Sequence, residues 1–266
     1  MPLPTKSNSL EAAGLDQTAA LVEVFSALQG EGLNVGTRQI FVRFGGCDLR
    51  CSYCDSAHTW HPTSRCDIEV QAGQRRYEQH PNPVSGTQLL AWIDRLDQPR
   101  LHDSISLTGG EPLLQSAFLA QFLPQLRSRC SLPLYLETGG HRADLLPLVL
   151  PYLDWIGMDL KLPSVSRESH WEAHRQFLVQ AAKVEVFCKL IISSQTQWLD
   201  LEKAAALIRS VSEEIPCFLQ PMTPLGEADS ALAPRPEQVL EWHGLMKQIL
   251  RDVRVIPQTH KMMHQK

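Results

Sequence analysis

Short apolar runs punctuate the chain at residues 22–27, 39–44, 104–108, 134–137, 154–159, 184–192, 217–220 and 253–256. Several are rich in β-branched residues, and each has the length of a single strand. Between them lie stretches whose apolar residues recur three and four apart, at 86–96, 113–127, 142–148, 168–181, 199–211 and 236–250. That spacing predicts helices with one buried face. Strand and helix alternate through most of the chain, the pattern of parallel βαβ units joined by right-handed crossovers. Residues 1–20 are polar and are expected to form a flexible tail. Residues 21–266 read as a single domain, and the aperiodic, polar residues 65–83 within it as an insertion or loop.

Polar motifs follow the predicted strands. They include Thr108-Gly109-Gly110-Glu111-Pro112, Glu137-Thr138-Gly139-Gly140, Asp159-Leu160-Lys161, Ser193-Ser194-Gln195 and Gln220-Pro221. Parallel barrels carry their sites at the carboxyl ends of the strands, so these motifs are expected to converge on one face. Glycine and proline also punctuate turns for local reasons, so any one motif alone decides little.

Composition narrows the class. With 266 residues, 43% of them hydrophobic and 20% charged, the chain can bury a sizeable core. A formal net charge of −4 gives no electrostatic reason to expect nucleic acid as a partner. No run approaches the roughly 18 apolar residues of a membrane span. Residues 1–17 lack the apolar core of a signal peptide, which makes the cytoplasm the expected location.

The seven cysteines are an odd number, and three of them, Cys47, Cys51 and Cys54, crowd into one short segment. Clustered thiols in such a chain favour metal over a disulfide framework. Cys188 and Cys217 lie in apolar runs and read as small buried hydrophobes. Cys66, beyond the cluster, offers a soft ligand at most. The spacing C-x3-C-x2-C puts three thiolates on one compact loop. Three thiolates can hold three corners of a [4Fe–4S] cubane and leave one iron open. A zinc site completed by His58 or His61 is the other reading, although structural zinc more often presents two ligand pairs.

With Tyr53 before the last cysteine, this motif resembles the signature of the radical S-adenosylmethionine superfamily. The resemblance implies a partial (β/α)6-type parallel barrel. It also implies that the open iron is chelated by the methionine end of S-adenosylmethionine, and that reduction releases a 5′-deoxyadenosyl radical. Gly109-Gly110-Glu111-Pro112 resembles the superfamily turn that contacts the methionine amino group.

Upstream, Gln29-Gly30-Glu31-Gly32 and Phe41-Val42-Arg43-Phe44 lead into the cysteines, and Ile256-Pro257-Gln258-Thr259-His260-Lys261 closes the chain. With Glu137-Thr138-Gly139-Gly140 and Asp159-Leu160-Lys161, the whole resembles the 7-carboxy-7-deazaguanine synthases of the queuosine (7-deazapurine) pathway. That family contracts 6-carboxy-5,6,7,8-tetrahydropterin to 7-carboxy-7-deazaguanine with loss of ammonia. The resemblance implies S-adenosylmethionine and Mg²⁺ as cofactors, a homodimer, and a flavodoxin- or ferredoxin-like reductant.

Carried over residue by residue, Leu28, Gln29, Gly30, Glu31, Arg43 and Thr108 would meet the pterin, with Gln258 and His260 closing the pocket. Arg43 offers a planar fork suited to a carboxylate, and Gln29 both a donor and an acceptor for a pterin edge. Tyr53, Cys54, Asp55 and Gly110 would meet S-adenosylmethionine, as would Asp159, Leu160 and Lys161, with Ser193 to Gln195 as weaker candidates. Ser56 stands where relatives often place a threonine ligand to Mg²⁺; it keeps the hydroxyl, and Asp55 is a second candidate. No residue is assigned acid–base catalysis. A glycyl-radical-enzyme activator, which shares the cysteine spacing, and a non-catalytic zinc-binding module are the competing readings.

Overall fold

Each predicted strand run becomes a strand in the computed structural model, which describes residues 17–224, 226 and 232–265. In chain order the elements begin with β1 (Thr18–Ala19), β2 (Leu21–Leu28), β3 (Arg38–Phe44), β4 (Arg65–Glu69) and β5 (Tyr77–Pro81). There follow β6 (Val84–Ser85), α1 (Gly86–Leu96), β7 (Ser104–Gly109), α2 (Ser116–Arg129), β8 (Leu134–Thr138) and β9 (Trp155–Asp159). The remainder are α3 (Pro163–Ser166), α4 (Trp171–Ala181), β10 (Glu185–Ile192), α5 (Trp198–Val211), β11 (Cys217–Pro221), α6 (Pro236–Lys247), β12 (Val253–Val255) and α7 (Thr259–Met262).

Ten strands form one sheet in the order β12-β11-β10-β9-β8-β7-β3-β2-β4-β5. From β3 through β7, β8, β9, β10 and β11 every neighbouring pair is parallel, and β12 extends the run. Those six strands are the expected partial barrel, and β2 returns antiparallel along β3.

Side chains alternate across the sheet with the period of two that a strand imposes. Val42, Leu107, Leu136, Met158, Leu190 and Leu219 point to the helices, where they join Leu89, Phe122 and Ile208 in the main core. Each such burial contributes roughly 1.5–3 kcal/mol. The intervening positions, Arg43, Thr108, Glu137, Asp159, Lys189 and Gln220, face a cavity instead.

Four expectations need correction. Residues 65–83 are not a loop: β4 and β5 pair antiparallel, and β4 lies parallel to β2 at the sheet edge. The hairpin escapes notice because its strands are five residues each and β5 is largely exposed, so apolar periodicity has little to act on. Cys66 belongs to this hairpin and is buried in the core, its thiol directed to the His80 carbonyl at 3.7 Å, so it is not a metal ligand. Residues 142–148 form no α-helix; short 3-10 turns at Leu146–Leu148 and Leu150–Tyr152 replace it. Pro147 and Pro151 lack the amide protons a continuous helix needs there. The expected tail is in part a strand, since Thr18–Ala19 pairs with Val84–Ser85; residues 1–16 lie outside the described residues.

Candidate active site

Strand β3 delivers the cysteines. After Phe44 the chain turns through Gly45-Gly46, and Cys47, Cys51 and Cys54 all line the cavity. The loop is fastened from several sides. Gly46 N donates to Thr59 O at 2.8 Å, and Arg50 N donates to the Glu168 carboxylate at 2.6 Å. Ser52 Oγ donates to Val165 O at 2.7 Å, and Asp48 meets His141 at 2.7 Å and Arg142 at 3.1 Å. Burial pushes the Cys47 thiol up to about 11, with Glu111 and Asp48 adding to the effect. A thiol so placed becomes a thiolate when a cation is present to hold it.

The Gly-Gly-Glu-Pro turn at the end of β7 packs on that loop. Gly109 has φ +130°, and a Cβ there would meet Phe44 O at 2.2 Å; one on Gly110 would meet Gly46 O at 2.2 Å. Both glycines therefore serve first to bring two backbones together. Gly110 N donates to Phe44 O at 3.0 Å, and Glu111 N to Gly46 O at 2.8 Å. The buried Glu111 carboxylate is taken by Leu113 N, Thr138 Oγ1 and Gly139 N, all within 3.1 Å. It ties the β7 turn to the β8 turn.

Opposite the cysteines lies a polar seam. Arg43 and Thr108 are register partners on β3 and β7. Glu23 holds Arg43 through Nε at 2.9 Å, and the guanidinium lies over the Phe25 ring. On β8, Glu137 accepts from Gln29 Nε2 at 2.7 Å, Ser106 Oγ at 3.0 Å and Thr108 Oγ1 at 3.1 Å. Gln29 Nε2 also reaches Gln39 at 3.2 Å, and its oxygen accepts from Glu31 N at 3.0 Å. The Glu31 carboxylate pairs with Lys189 and accepts from Gln258 Nε2. His260 stands over Gly30, where a Cβ would lie 2.1 Å from its Nδ1. Leu28, the last residue of β2, completes this wall.

The cofactor-side candidates divide. Tyr53, Gly110, Asp159 and Lys161 all line the cavity, as do Cys54 and Asp55. Lys161 Nζ sits 2.8 Å from Asp159 and over the Tyr53 ring. Leu160 points away into the main core, and its N–H is spent on Lys189 O at 2.9 Å. Ser193 to Gln195 do not line the cavity and build a local turn, with Gln195 N on Ser193 Oγ and Gln195 Oε1 on Arg167. Two buried acceptors on the cavity wall, Asp159 Oδ1 and Gln220 Oε1, have no protein donor among the described residues. Such atoms call for a donor from a ligand or solvent.

A family model described as a 4Fe-4S single cluster domain matches residues 28–148, the stretch that holds the three cysteines and the β7 turn. A curated 7-carboxy-7-deazaguanine synthase from Geobacter sulfurreducens is 43% identical over 250 residues, spanning 93% of this chain and 98% of that protein. The chain belongs to the 7-carboxy-7-deazaguanine synthase family. A second synthase, from Thermococcus kodakarensis, is 33% identical over 80% of this chain and 87% of its own length. The fold has relatives among solved structures. The crystal structure of QueE from Escherichia coli matches with a TM-score of 0.60 at 21% identity, over 91% of this chain and 94% of that one. A radical SAM methyltransferase from Sphaerobacter thermophilus matches at 0.58 and 14%, over 83% and 66%.

The cysteines of this synthase-family chain fit a cluster better than a single ion. A tetrahedral zinc with bonds of about 2.3 Å would draw its thiolates to about 3.8 Å from one another. Among the described residues, the three metal-capable side chains that come within 4.8 Å of one another are Glu31, Asp55 and His260, not three thiols. His58 and His61 are exposed. Ser56 Oγ donates to Asp55 Oδ1 at 3.0 Å and keeps its lone pairs; Mg²⁺ fits less well there because the Asp55 carboxylate beside it already holds the Lys261 ammonium at 2.9 Å. Sequence reasoning missed Glu137, Lys189 and Gln39 as individual residues. Lys189, a lone charge inside the run Val-Phe-Cys-Lys-Leu-Ile-Ile, was the clearest available signal.

Proposed function

We propose that this protein converts 6-carboxy-5,6,7,8-tetrahydropterin to 7-carboxy-7-deazaguanine with loss of ammonia, the reaction for which its family is named. The observation that carries the reading is one cavity of about 630 Å³ with the three thiols on one wall and the seam of Gln29, Glu137, Thr108 and Arg43 on another. When bound, a [4Fe–4S] cluster at Cys47, Cys51 and Cys54 together with S-adenosylmethionine supplies the electron and the 5′-deoxyadenosyl radical that begin the chemistry.

The chain's own residues bind and orient. A carboxylate has about four acceptor positions, and three neutral donors already hold Glu137. The fourth suits an amino group on the pyrimidine edge of a pterin. Arg43, steadied by Glu23, presents its terminal nitrogens to the substrate carboxylate. Leu28, Gly30, Glu31 and Thr108 line the ring, and Gln258 and His260 cover it. Tyr53, Cys54, Asp55, Gly110, Asp159 and Lys161 would meet S-adenosylmethionine, with Leu160 contributing backbone alone. The proposal keeps a homodimer, a flavodoxin- or ferredoxin-like electron donor and a cytoplasmic location; no helix among the described residues is long and apolar enough to cross a membrane.

The test is an anaerobic assay of cluster-loaded protein with the pterin, S-adenosylmethionine and a reductant. Formation of the deazaguanine with release of ammonia is expected. Slow 5′-deoxyadenosine formation without that product would reject the substrate and keep the radical chemistry. Stoichiometric zinc and no reducible chromophore would reject both.

A further inference from the structure

We propose that Lys261 is a built-in cation at Asp55, occupying the role expected of Mg²⁺, so that this chain turns over without a divalent ion. The part about turnover rests on the proposed reaction; the part about the ion site does not.

The carboxylate that would bind a metal here already has a cation of its own. Ser56 Oγ donates to one Asp55 oxygen at 3.0 Å, and the other accepts from Gln258 Nε2 at 2.8 Å and Lys261 Nζ at 2.9 Å. Glu31, the next carboxylate, is taken by Lys189 and by the same Gln258 amide. Two carboxylates thus face two ammonium groups, and the local charge sums to zero. Mg²⁺ binds hard oxygen ligands and gives up its own water reluctantly. Entering here, it would have to displace an ammonium and would leave two positive charges without a protein counter-charge.

Lys261 is placed by the fold. It lies in α7, whose first residue donates from Thr259 N to Gly30 O at 3.0 Å. The next residue, His260, fills the space that Gly30 leaves by lacking a side chain. Beyond α7, Arg75 of the β4–β5 turn donates to His264 O at 3.1 Å. The ammonium is therefore anchored at both ends of its segment. Without it, Asp55 would lose its counter-charge beside Glu31 and His260, whose ligand atoms lie within 4.8 Å of its own, and the locus would carry one net negative charge.

The test uses cluster-loaded protein freed of Mg²⁺ and other loose divalent ions, with Mn²⁺ as the probe and the resonance of the free aqua ion as the readout, in the absence of substrate. Wild type and Lys261→Arg are expected to leave Mn²⁺ free, and Lys261→Met to bind one equivalent. In turnover, wild type and Lys261→Arg should change less than about two-fold on adding Mg²⁺, while Lys261→Met should fall about ten-fold and recover with the metal, a shift of about 1.4 kcal/mol. Stoichiometric Mn²⁺ binding by wild type, none by Lys261→Met, or a ten-fold Mg²⁺ stimulation of wild type would each overturn the proposal. If no variant turns over the pterin, the reaction assignment fails and the Mn²⁺ titration still decides this one.

Discussion

Acid should unfold this protein partly through one buried histidine. His174 on α4 is fully buried; its Nδ1 donates to Gly140 O at 2.9 Å and its Nε2 accepts from Lys161 N at 3.1 Å. The second bond requires the neutral ring, because a protonated Nε2 cannot accept. Burial, aided by the positive charge of Lys161, lowers the pKa from an ordinary 6.5 to about 4. The unfolded chain takes up a proton near pH 6.5 and the folded chain does not. Stability is therefore complete above pH 6.5 and falls as the pH drops towards 4. The full loss is about 3 kcal/mol, and about 1.4 kcal/mol of it is spent by pH 5.5. His174→Asn keeps an amide donor for Gly140 O and cannot take up the proton. At pH 7.5 it should be less stable than wild type by about 1–3 kcal/mol, because Lys161 N–H loses its acceptor. At pH 5.5 the gap should narrow by about 1.4 kcal/mol. Urea unfolding at the two pH values, followed by tryptophan fluorescence under anaerobic conditions, measures both gaps. Wild type and variant losing stability in parallel would refute the reasoning.

Three further changes probe the site. Gly110→Ala must push its Cβ away from Gly46 O, a backbone atom, so it should cost about 1–3 kcal/mol and lower the iron retained per chain; thermal midpoint and iron assay read it. Glu137→Gln should raise the KM for the pterin roughly 10- to 100-fold, the loss of a charged hydrogen bond of about 1.5–3 kcal/mol, with iron content unchanged. Arg43→Ala should weaken pterin binding by a similar factor and leave the cluster's absorption intact; loss of iron instead would show that Arg43 supports the loop and not the substrate.

Much of the architecture was legible because the helix-facing half of each strand is uniformly apolar. Val42, Leu107, Leu136, Met158, Leu190 and Leu219 mark the strands regardless of what the other face carries. The edge hairpin was not, since only Cys66 and Ile68 of β4 reach the core and β5 buries little. The cysteine loop could be read directly, as its ligands are neighbours in sequence. Glu137 could be seen only as part of a motif, because Gln29 and Thr108, which define its role, lie 108 and 29 residues away. The glycines of the β7 turn were given to a ligand, whereas their first duty is to the Phe44–Gly46 backbone. Close backbone approach across strands leaves no local signature beyond the glycine itself.

The charges that line the cavity form a chain in which signs largely alternate. Lys161 meets Asp159 at 2.8 Å, Asp159 meets Lys189 at 3.7 Å, and Lys189 pairs with Glu31. Gln258 links Glu31 to Asp55, and Lys261 closes the series. Lys189 is the member whose loss is hardest to absorb. Without it Asp159 keeps Lys161, but Glu31 keeps the neutral Gln258 amide as its side-chain partner. Both partners of the Lys189–Glu31 pair are mostly buried, with side chains 16% and 15% exposed. Removing one side of such a pair typically costs about 3–5 kcal/mol, because the remaining charge stays buried. Lys189→Met should show that loss in urea unfolding, and adding Glu31→Gln should restore a large part of it. Strict additivity of the two substitutions would mean that the pair is not coupled, and that Glu31 is neutralised from elsewhere on the cavity wall.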